Sequence, residues 1–389
     1  MPRHNLLLLT IAAALLLALP ALAADVHVRV DPSARMAAPG NENLVTFPTI
    51  VNALDHHPFA TPNPDGTPGR VFIEIVPGVY HERVIVTQNH NNITLIGLGK
   101  SPADVVITNS LNARVAGGTF FTETVEINGA GFEADNITFE NAAGNTGVPG
   151  ELARGGGNTG QAVAVADRGD RSIFKHCRFL GHQDTLFADY GRQYYVDSYI
   201  EGGVDYIFGN AAAVFERDEL HSNGPGFITA QSRTSPDQPT GYVILSSKVT
   251  VGFEAPPAPP ASTPTAEAGA PPKLGLGGNE ATTTPPIPPP RPRQIGLGRP
   301  WRTCSRVVFI NTELPAEMNP VGWNNWGSAA NESTAYYAES GSTGPGASPS
   351  TRVPWSHQLT AAEAKQYLPQ NFLAGPDHWD PIAEAAKLP

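Results

Sequence analysis

Short runs of apolar and aromatic residues recur along the chain, separated by turn-forming Gly, Asn and Asp residues. Three of these runs start 21 and 20 residues apart, and two earlier runs start 44 residues apart, about two such intervals. Repeats of this length are typical of a right-handed parallel β-helix, whereas the strands of a sandwich would follow one another every 8–12 residues or so. The sequence therefore predicts an all-β solenoid. The runs that support this prediction are 92–97, 136–141, 172–181, 193–202 and 213–222.

Two helix-like segments lie outside the repeating runs, one towards each end of the chain. Phe47 to Leu54 has the pattern of a short amphipathic helix before the first coil. Near the C-terminus, Thr360 begins a segment that runs to Leu368, and the carboxylate of Glu363 follows three positions later, which is typical of a capped helix. Because a solenoid must cover its open ends, we expect these segments to be short capping helices.

The first 23 residues have the pattern of a secretory signal peptide. Arg3 precedes an apolar run from Leu6 to Leu19, and small residues up to Ala23 form the expected cleavage site. The run is too short, and too close to that site, to serve well as a membrane anchor. We expect cleavage after Ala23 and a secreted or periplasmic protein, with no other segment that spans a membrane.

The remaining residues, 24–389, are long for a compact domain but ordinary for one elongated repeat domain. Residues 253–295 interrupt the pattern with runs of Pro, Ala, Thr and Gly. A segment of this composition buries too little apolar surface to offset its ordering entropy, so we expect a flexible insertion. A tolerated surface loop is the simplest interpretation, since long loops add little closure entropy, and a lid or a tether are the alternatives.

Charge and cysteine content exclude two classes of protein. The formal net charge is −11, and it becomes −12 when Arg3 is lost with the signal peptide. Because nucleic-acid binding needs clustered Lys and Arg, we expect no nucleic-acid partner. Two cysteines, Cys177 and Cys304, are too few for a disulfide scaffold. Their apolar surroundings fit either one bridge or two buried thiols.

Four polar residues follow the same interval as the strand-like runs. Asp184 and Asp205 are 21 positions apart, and Gln161 and Gln183 are 22 positions apart. In a parallel solenoid, residues one coil apart lie on neighbouring strands, which are roughly 4.8 Å apart. We therefore expect two carboxylates and two carboxamides to meet in one patch, which has the composition of a hydrolytic site.

Short motifs surround these residues and recur elsewhere in the chain. They are Gly78-Val-Tyr-His-Glu82, Gly160-Gln-Ala-Val-Ala-Val165, Gly181-His-Gln-Asp-Thr-Leu-Phe187, Gly203-Val-Asp-Tyr-Ile-Phe-Gly-Asn210, Ile228-Thr-Ala-Gln-Ser-Arg233, Leu297-Gly-Arg-Pro-Trp301 and Phe372-Leu-Ala-Gly375. Together, and in this order, they resemble the motifs of pectin methylesterases, the carbohydrate esterases that demethylate pectin. The resemblance extends from about Phe47 to Trp379, with the Pro-rich insertion as its main gap.

The resemblance implies a pectinesterase that hydrolyses the methyl esters of galacturonosyl residues to pectate and methanol. Asp205 matches the family's nucleophile and Asp184 its general acid and base. Gln161 and Gln183 match the amides that stabilise the oxyanion, and Arg299 matches the guanidinium that holds the nucleophile. This chemistry requires no metal and no cofactor.

The resemblance also implies a substrate cleft for methylated homogalacturonan. Trp301, Phe208 and Phe187 match the aromatic residues that line this cleft. Phe187 stands where tyrosine is common in the family, so one hydrogen bond to the substrate is in doubt while the chemistry is unaffected. We expect the enzyme to act as a monomer.

Elementary electrostatics gives the two aspartates different roles. Ester hydrolysis through a carboxylate nucleophile needs one Asp ionised and the other protonated at the same pH. Two carboxyl groups on adjacent coils repel when both are charged, which raises one pKa, and a neighbouring Arg lowers the other. If Arg299 contacts Asp205, then Asp205 stays anionic and Asp184 carries the proton.

Other interpretations of these residues remain open from the sequence. A Gln on a β-helix coil often only satisfies neighbouring amides, an Asp at a corner often serves a turn, and a single Arg often forms a surface ion pair. A polygalacturonase-like β-helical hydrolase would also use paired carboxylates, but on the glycosidic bond. A solenoid that only binds polysaccharide is the non-enzymatic alternative.

Overall fold

The computed structural model describes residues 25–34, 44–57, 60–63, 66–143, 160–252 and 294–389. The predicted signal peptide, 1–23, and the predicted insertion up to residue 293 lie outside these ranges. Ile295, at the end of the predicted insertion, is already buried in the coil. No helix in the described ranges is long and apolar enough to cross a membrane.

Short strands dominate this part of the chain. They are β1 Val26–Val30, β2 Val45–Phe47, β3 Val71–Ile75, β4 Gly78–His81, β5 Val84–Val86, β6 Ile93–Gly97, β7 Val105–Asn109, β8 Val125–Ile127, β9 Glu133–Asp135, β10 Thr138–Asn141, β11 Val165–Asp167, β12 Ser172–Lys175, β13 Arg178–Leu180, β14 Leu186–Ala188, β15 Arg192–Val196, β16 Tyr199–Gly202, β17 Ile207–Gly209, β18 Ala212–Glu216, β19 Glu219–Ser222, β20 Phe227–Gln231, β21 Gly241–Leu245, β22 Lys248–Val251, β23 Gly296–Gly298, β24 Arg306–Ile310, β25 Tyr336–Ser340 and β26 His357–Gln358.

The helices are short. The α-helices are α1 Ile50–His56, α2 Ala113–Ala116, α3 Ala361–Ala364, α4 Pro369–Phe372 and α5 Pro381–Ala385. Single 3-10 turns occur at Pro102–Asp104, Thr119–Phe121, Ala329–Ser333, Pro349–Thr351 and Lys365–Tyr367.

The strands form three parallel sheets that wind into one solenoid. The first sheet has 12 strands in the order β2-β1-β3-β6-β9-β12-β15-β18-β21-β24-β25-β26. The second sheet has the order β22-β19-β16-β13-β10-β7-β4, and the third has the order β23-β20-β17-β14-β11-β8-β5. The seven coils from β3 to β23 each contribute one strand to each sheet, and the first sheet extends beyond them at both ends. The predicted right-handed parallel β-helix is confirmed.

The longer predicted runs each contain two strands rather than one. Residues 172–181 divide into β12 and β13, and the same division occurs in 193–202 and 213–222. At each division one residue adopts the left-handed conformation, which bends the chain from the first sheet into the second. These corner residues, with φ between 50° and 59°, are Asn136, His176, Asp197, Arg217, Ser246 and Asn311.

Aromatic stacking fills the inside of the solenoid. Phe174, Tyr195 and Phe215 are aligned partners on three successive strands of the first sheet and are fully buried. Their ring centroids are 4.9 Å and 4.6 Å apart, and the rings are nearly parallel. Stacked aromatic pairs add about 0.5–1.5 kcal/mol each beyond the burial of their surface, so this column fixes the register of the coils.

The N-terminal helix lies where the sequence predicts it, shifted by a few residues. Helix α1 begins after Thr49, whose side-chain oxygen accepts a hydrogen bond from the amide of Asn52 at 3.0 Å. Ile50 and Leu54 are buried against the first coil. The helix therefore covers this end of the solenoid.

The C-terminal helix forms as predicted but lies elsewhere. Thr360 and Glu363 make the predicted capping box in front of α3. Tyr367 and Leu373 then pack with outward-facing residues of the first sheet, such as Tyr194 and Val214. The C-terminal helices thus cover the outer face of this sheet, and the expectation that they close an end is wrong.

The structure decides between one disulfide bridge and two buried thiols. Cys177 and Cys304 are both free and buried. The thiol of Cys177 points to the backbone carbonyl of Lys175 at 3.2 Å, and burial raises its pKa. Both residues therefore serve as small core residues.

Candidate active site

The third sheet brings the four spaced polar residues onto neighbouring coils. Gln161 pairs with Gln183, and Gln183 pairs with Val204, in parallel β-bridges just before β14 and β17. Asp184 and Asp205 follow at corresponding positions. The amide of Asp184 donates to the carbonyl of Val204 at 3.0 Å. The two carboxyl groups thus lie side by side on adjacent coils, as their spacing predicts.

Both aspartates have an unusual backbone conformation. Asp184 has φ 63° and Asp205 has φ 49°, in the left-handed region. This conformation costs of order 1 kcal/mol for most residues and is tolerated best by Gly, Asn and Asp. It also interrupts the alternation of side chains along the strand. The same local kink in consecutive coils is what aligns the two carboxyl groups.

Arg299 holds Asp205 with two hydrogen bonds. Nε of Arg299 donates to Oδ1 of Asp205 at 2.9 Å, and Nη2 donates to Oδ2 at 2.6 Å. Arg299 directly follows β23, and its amide donates to the carbonyl of Thr229 at 3.0 Å. Bidentate pairs between guanidinium and carboxylate are among the strongest hydrogen-bonded contacts and fix orientation as well as charge. The carboxylate of Asp205 is therefore held in one orientation.

Burial and charge separate the titrations of the two aspartates. Burial, and then the charge of Asp205, raise the pKa of Asp184 to about 8 against the opposing charge of Arg299. Burial also raises the pKa of Asp205, against the hydrogen bonds and the charge of Arg299. Arg299 lowers the pKa of Asp205 as expected, but burial outweighs the guanidinium, so the pKa lies above the ordinary carboxyl value. Asp184 still has the stronger tendency to hold a proton near neutral pH.

Gln161 and Gln183 lie half-buried beside this pair. Within the described ranges, neither side-chain amide has a hydrogen-bond partner, although both backbones are paired. A half-buried amide that no described residue pairs is ready to donate to a bound group.

The three predicted aromatic residues form one cluster. Phe187 and Phe208 stack with their ring centroids 4.6 Å apart. The Trp301 ring lies 5.9 Å from Phe208 and 6.5 Å from Phe187. These residues pack with Val163 and Ala166 of the neighbouring coil. The structure therefore brings all three together in a surface of the third sheet, next to the carboxyl pair.

A fourth aromatic residue, Phe120, was missed by the sequence interpretation. Its ring lies 5.0 Å from Phe187 and 6.4 Å from Trp301, and it is 43% exposed. Phe120 lies in the 3-10 turn Thr119–Phe121 before β8 and belongs to none of the sequence motifs. The only available signal was two adjacent phenylalanines, Phe120 and Phe121, after a Gly-Gly turn.

Comparisons with known proteins identify the family of this chain. The pectinesterase family model matches residues 39–264 and 288–376. Pectinesterase 31 of Arabidopsis thaliana is 36% identical over 349 residues, which cover 87% of this chain and 92% of that protein. The pectin methylesterase from carrot is 30% identical with a TM-score of 0.70, and the match covers 94% of this chain and 96% of that one. A pectin methylesterase in complex with a hexasaccharide is 25% identical, with a TM-score of 0.61 and coverage of 92% and 98%. The chain belongs to the pectinesterase family.

Proposed function

We propose that this carboxylic ester hydrolase removes methyl groups from the galacturonosyl residues of pectin with Asp205 as its nucleophile and Asp184 as its general acid and base. The observation that carries these roles is the bidentate Arg299–Asp205 pair beside a second carboxyl group whose pKa is about 8. One site therefore offers an oriented carboxylate and a protonated acid at the same pH.

In the first half of the reaction, a carboxylate oxygen of Asp205 attacks the ester carbonyl carbon. The tetrahedral intermediate collapses when the carbon–methoxy bond breaks, and Asp184 gives its proton to the leaving oxygen, which departs as methanol. An anhydride between Asp205 and the galacturonosyl carboxyl group remains, and Asp184 is left ionised.

The amides of Gln161 and Gln183 are suited to the intermediate. An oxyanion needs neutral or positive donors, and both amides lie beside the carboxyl pair with no partner in the described part of the chain. Loss of one such donor typically lowers the rate about 100- to 1000-fold. Carboxamides rather than carboxylates at these positions fit an anionic transition state.

Hydrolysis of the anhydride returns the enzyme to its starting state. Ionised Asp184 takes a proton from water, and the resulting hydroxide oxygen bonds to the galacturonosyl carbonyl carbon. The bond between this carbon and the Asp205 oxygen breaks, so Asp205 leaves as a carboxylate. Asp184 is protonated again, and the product carboxylic acid loses its proton to solvent.

The aromatic cluster supports pectin as the substrate. Phe120 and the partly exposed Trp301 present apolar ring surface near the carboxyl pair, and the buried rings of Phe187 and Phe208 support them from below. Ring surfaces of this kind pack against the apolar faces of sugars while polar groups fix their orientation. The related pectin methylesterase in complex with a hexasaccharide supports an oligosaccharide or polysaccharide substrate for this enzyme.

Methanol release from highly methylated pectin tests the catalytic roles. We expect Asp205→Ala and Asp184→Ala to lose at least about 10⁴-fold in kcat/KM, because each removes a group that acts on the reacting atoms. Asp197→Ala is a matched control. Asp197 also has a left-handed φ of 52° and a bidentate Arg partner, Arg217. It is exposed, however, and lies at the corner between β15 and β16, away from the third sheet. Retained activity in Asp205→Ala would contradict the proposal.

The same assay separates the alternative functions. A polygalacturonase-like enzyme would release reducing ends without methanol, and a binding solenoid would release neither. The esterase should release methanol with no gain in reducing ends, and both products should be measured on one sample.

We also propose that the enzyme is exported. The charged start, apolar run and small residues of 1–23 support this location, as does a polysaccharide substrate outside the cytoplasm. N-terminal sequencing of the protein from culture medium or periplasm should begin at Ala24. An intact N-terminus on active intracellular protein would contradict the proposal.

A further inference from the structure

Two aromatic rings lie against the guanidinium that holds Asp205. The guanidinium carbon of Arg299 is 3.9 Å from the ring centroid of Trp326 and 5.0 Å from that of Phe227. Arginine stacks on aromatic faces because its charge is spread over a flat, weakly hydrated group. The contact with Trp326 is the shorter of the two, and the sequence motifs do not include this residue.

Phe227 is tied to the site through its backbone as well. Its carbonyl accepts a hydrogen bond from the amide of Asp205 at 2.7 Å. Its strand partner is Gly296, where a Cβ would lie 2.4 Å from the Phe227 ring, so only glycine leaves room for it. Phe227 is therefore fixed by the solenoid itself, whereas Trp326 comes from the long connection between β24 and β25.

We propose that Trp326 is a positioning residue for the esterase reaction, whose indole ring holds the Arg299 guanidinium in the orientation that keeps Asp205 ionised and aligned. This inference rests on the proposed nucleophilic role of Asp205. Trp326 acts through Arg299 and needs no contact with the substrate.

The connection that carries Trp326 is held in one shape. The amide of Trp326 donates to the side-chain oxygen of Asn324 at 2.7 Å, and Nδ2 of Asn325 donates to Glu332 at 2.7 Å. Asn331 in turn donates to the carbonyl of Asn325 at 2.9 Å. Trp326 itself has φ 56°, which a large residue adopts only when its surroundings impose it. The indole is therefore presented to Arg299 by a preorganised loop.

Arg299 has few other contacts that could orient it. Apart from the two bonds to Asp205, its side chain makes no hydrogen bond to any described residue, so Nη1 has no partner there. Its side chain is 26% exposed. Removal of the indole would let more water reach the guanidinium, and a more hydrated, less ordered cation stabilises a carboxylate less.

The charged groups around Asp205 predict how the loss of the Trp326 ring would change the pH dependence of kcat/KM. Within the described residues, the titratable groups that interact with it are Arg299, Asp184 and Tyr337. Burial raises the pKa of Asp205 and Arg299 opposes this rise. A weaker Arg299 interaction therefore moves the acid limb of kcat/KM to higher pH. The alkaline limb moves less, because Arg299 acts on Asp184 through charge alone.

The test compares Trp326→Leu with Trp326→Phe in the full-length enzyme. Leu keeps apolar bulk without a ring face, whereas Phe keeps the face. We expect Leu to lower kcat roughly 2- to 30-fold with a smaller change in KM. It should also raise the acid limb by about half a unit to one unit. Phe should recover most of both effects. Val321→Ala, an exposed residue of the same connection, is the control with unchanged kinetics.

A second measurement separates positioning from a structural or substrate-binding role. If Trp326 acts through Arg299, Trp326→Leu has no further effect on the acid limb and on kcat in an Arg299→Gln background. Additive losses, or a raised KM with an unmoved acid limb, would overturn the inference. Circular dichroism melting of each variant identifies any loss that comes from unfolding. Failure of the nucleophile assignment is recognised separately, since Asp205→Ala would then stay active.

Discussion

Two Arg–carboxylate pairs in this enzyme, one buried and one partly exposed, have the same geometry and different surroundings. Nε of Arg299 donates to Asp205 at 2.9 Å, and Nε of Arg352 donates to Glu339 at 2.7 Å; in each pair Nη2 makes the second bond. The Arg352 side chain is 1% exposed, and its remaining donors reach the carbonyls of Pro320 and Gly346 at 2.9 Å each. Arg299 is 26% exposed and lies beside a second carboxyl group.

The difference shows what turns an ion pair into a reactive site. A pair whose donors are all satisfied only holds the fold together, whereas an incompletely satisfied pair next to a second acid leaves one carboxylate available to react. The two pairs are also connected. Arg352 binds the carbonyl of Pro320, at the start of the segment that carries Trp326 to Arg299. The Arg352–Glu339 pair, which we call the closed pair, therefore supports the Arg299–Asp205 pair, which we call the open pair.

The largest expected effect comes from opening the closed pair. Arg352→Gln leaves the Glu339 carboxylate buried, and we expect the free energy of unfolding to fall by about 3–5 kcal/mol, measured by urea denaturation. The control is Arg217→Gln in the exposed pair with Asp197, where the loss should stay below about 1 kcal/mol. Equal losses in the two variants would remove the distinction between closed and exposed pairs.

Breaking the open pair should have the opposite profile. We expect Arg299→Gln to lower kcat/KM about 100- to 1000-fold, which corresponds to roughly 3–4 kcal/mol in the barrier. Its free energy of unfolding should change by less than about 2 kcal/mol, because water already reaches the Arg299 side chain and the Asp205 carboxylate, left without its partner, can take up a proton. Methanol release and urea denaturation on the same preparation test both halves. A variant that melts like Arg352→Gln would show that the pair is structural.

A third carboxyl group, that of Asp167, has no hydrogen-bonded cation among the described residues and extends the comparison. Asp167 is fully buried, and burial raises its pKa to about 7, against hydrogen bonds from Gly169 and Ser172. Its Oδ2 has no partner among the described residues. In the unfolded chain this carboxyl group has an ordinary pKa of about 3.9, so it loses its proton at a lower pH than in the native state. The protonated native state is therefore favoured below about pH 4, and this stability is lost as pH rises through about 7.

Asp167→Asn should remove that loss. The side-chain oxygen of Asn keeps both accepted hydrogen bonds, and the Asn side chain is uncharged at every pH. We expect it to be more stable than the wild type by about 2 kcal/mol at pH 8 and no more stable at pH 4. Urea denaturation at both values measures this. A difference that does not depend on pH would show that Asp167 does not titrate in this range.

The parts of the site that the sequence predicted are those set by the coil repeat. Asp184 and Asp205 meet because parallel coils align residues one period apart, and the period can be read from the starts of the strand-like runs. The role of Arg299 came from a motif, since 94 residues separate it from Asp205 in sequence. The division of each run into two strands was not predicted, because it depends on single left-handed residues such as His176 and Asp197.

The parts that the sequence did not predict are contributed by loops and by tertiary packing. Phe120 and Trp326 reach the site from connections without a repeat, so their spacing gives no sign of where they lie. The C-terminal helices have an apolar face that fits an end cap as well as it fits the outer face of the first sheet. Only packing against Tyr194 and its neighbours decides between these places. Local pattern determines that such a segment is helical but not which surface it covers.

The smallest expected effect is the pH dependence of the open pair itself. Asp184 must be protonated to release methanol, and its pKa is about 8. The value of kcat/KM should therefore fall above about pH 8, approaching a tenfold loss per pH unit, while ionisation of Asp205 sets the acid limb. Blanks without enzyme are needed, because methyl esters saponify in alkali. The Asp197→Ala control should keep the alkaline limb unchanged, since Asp197 lies at another corner of the solenoid. A profile that stays flat to pH 10 would mean that the proton on methanol comes from another donor, and the asymmetry between the two aspartates would then lose its catalytic meaning.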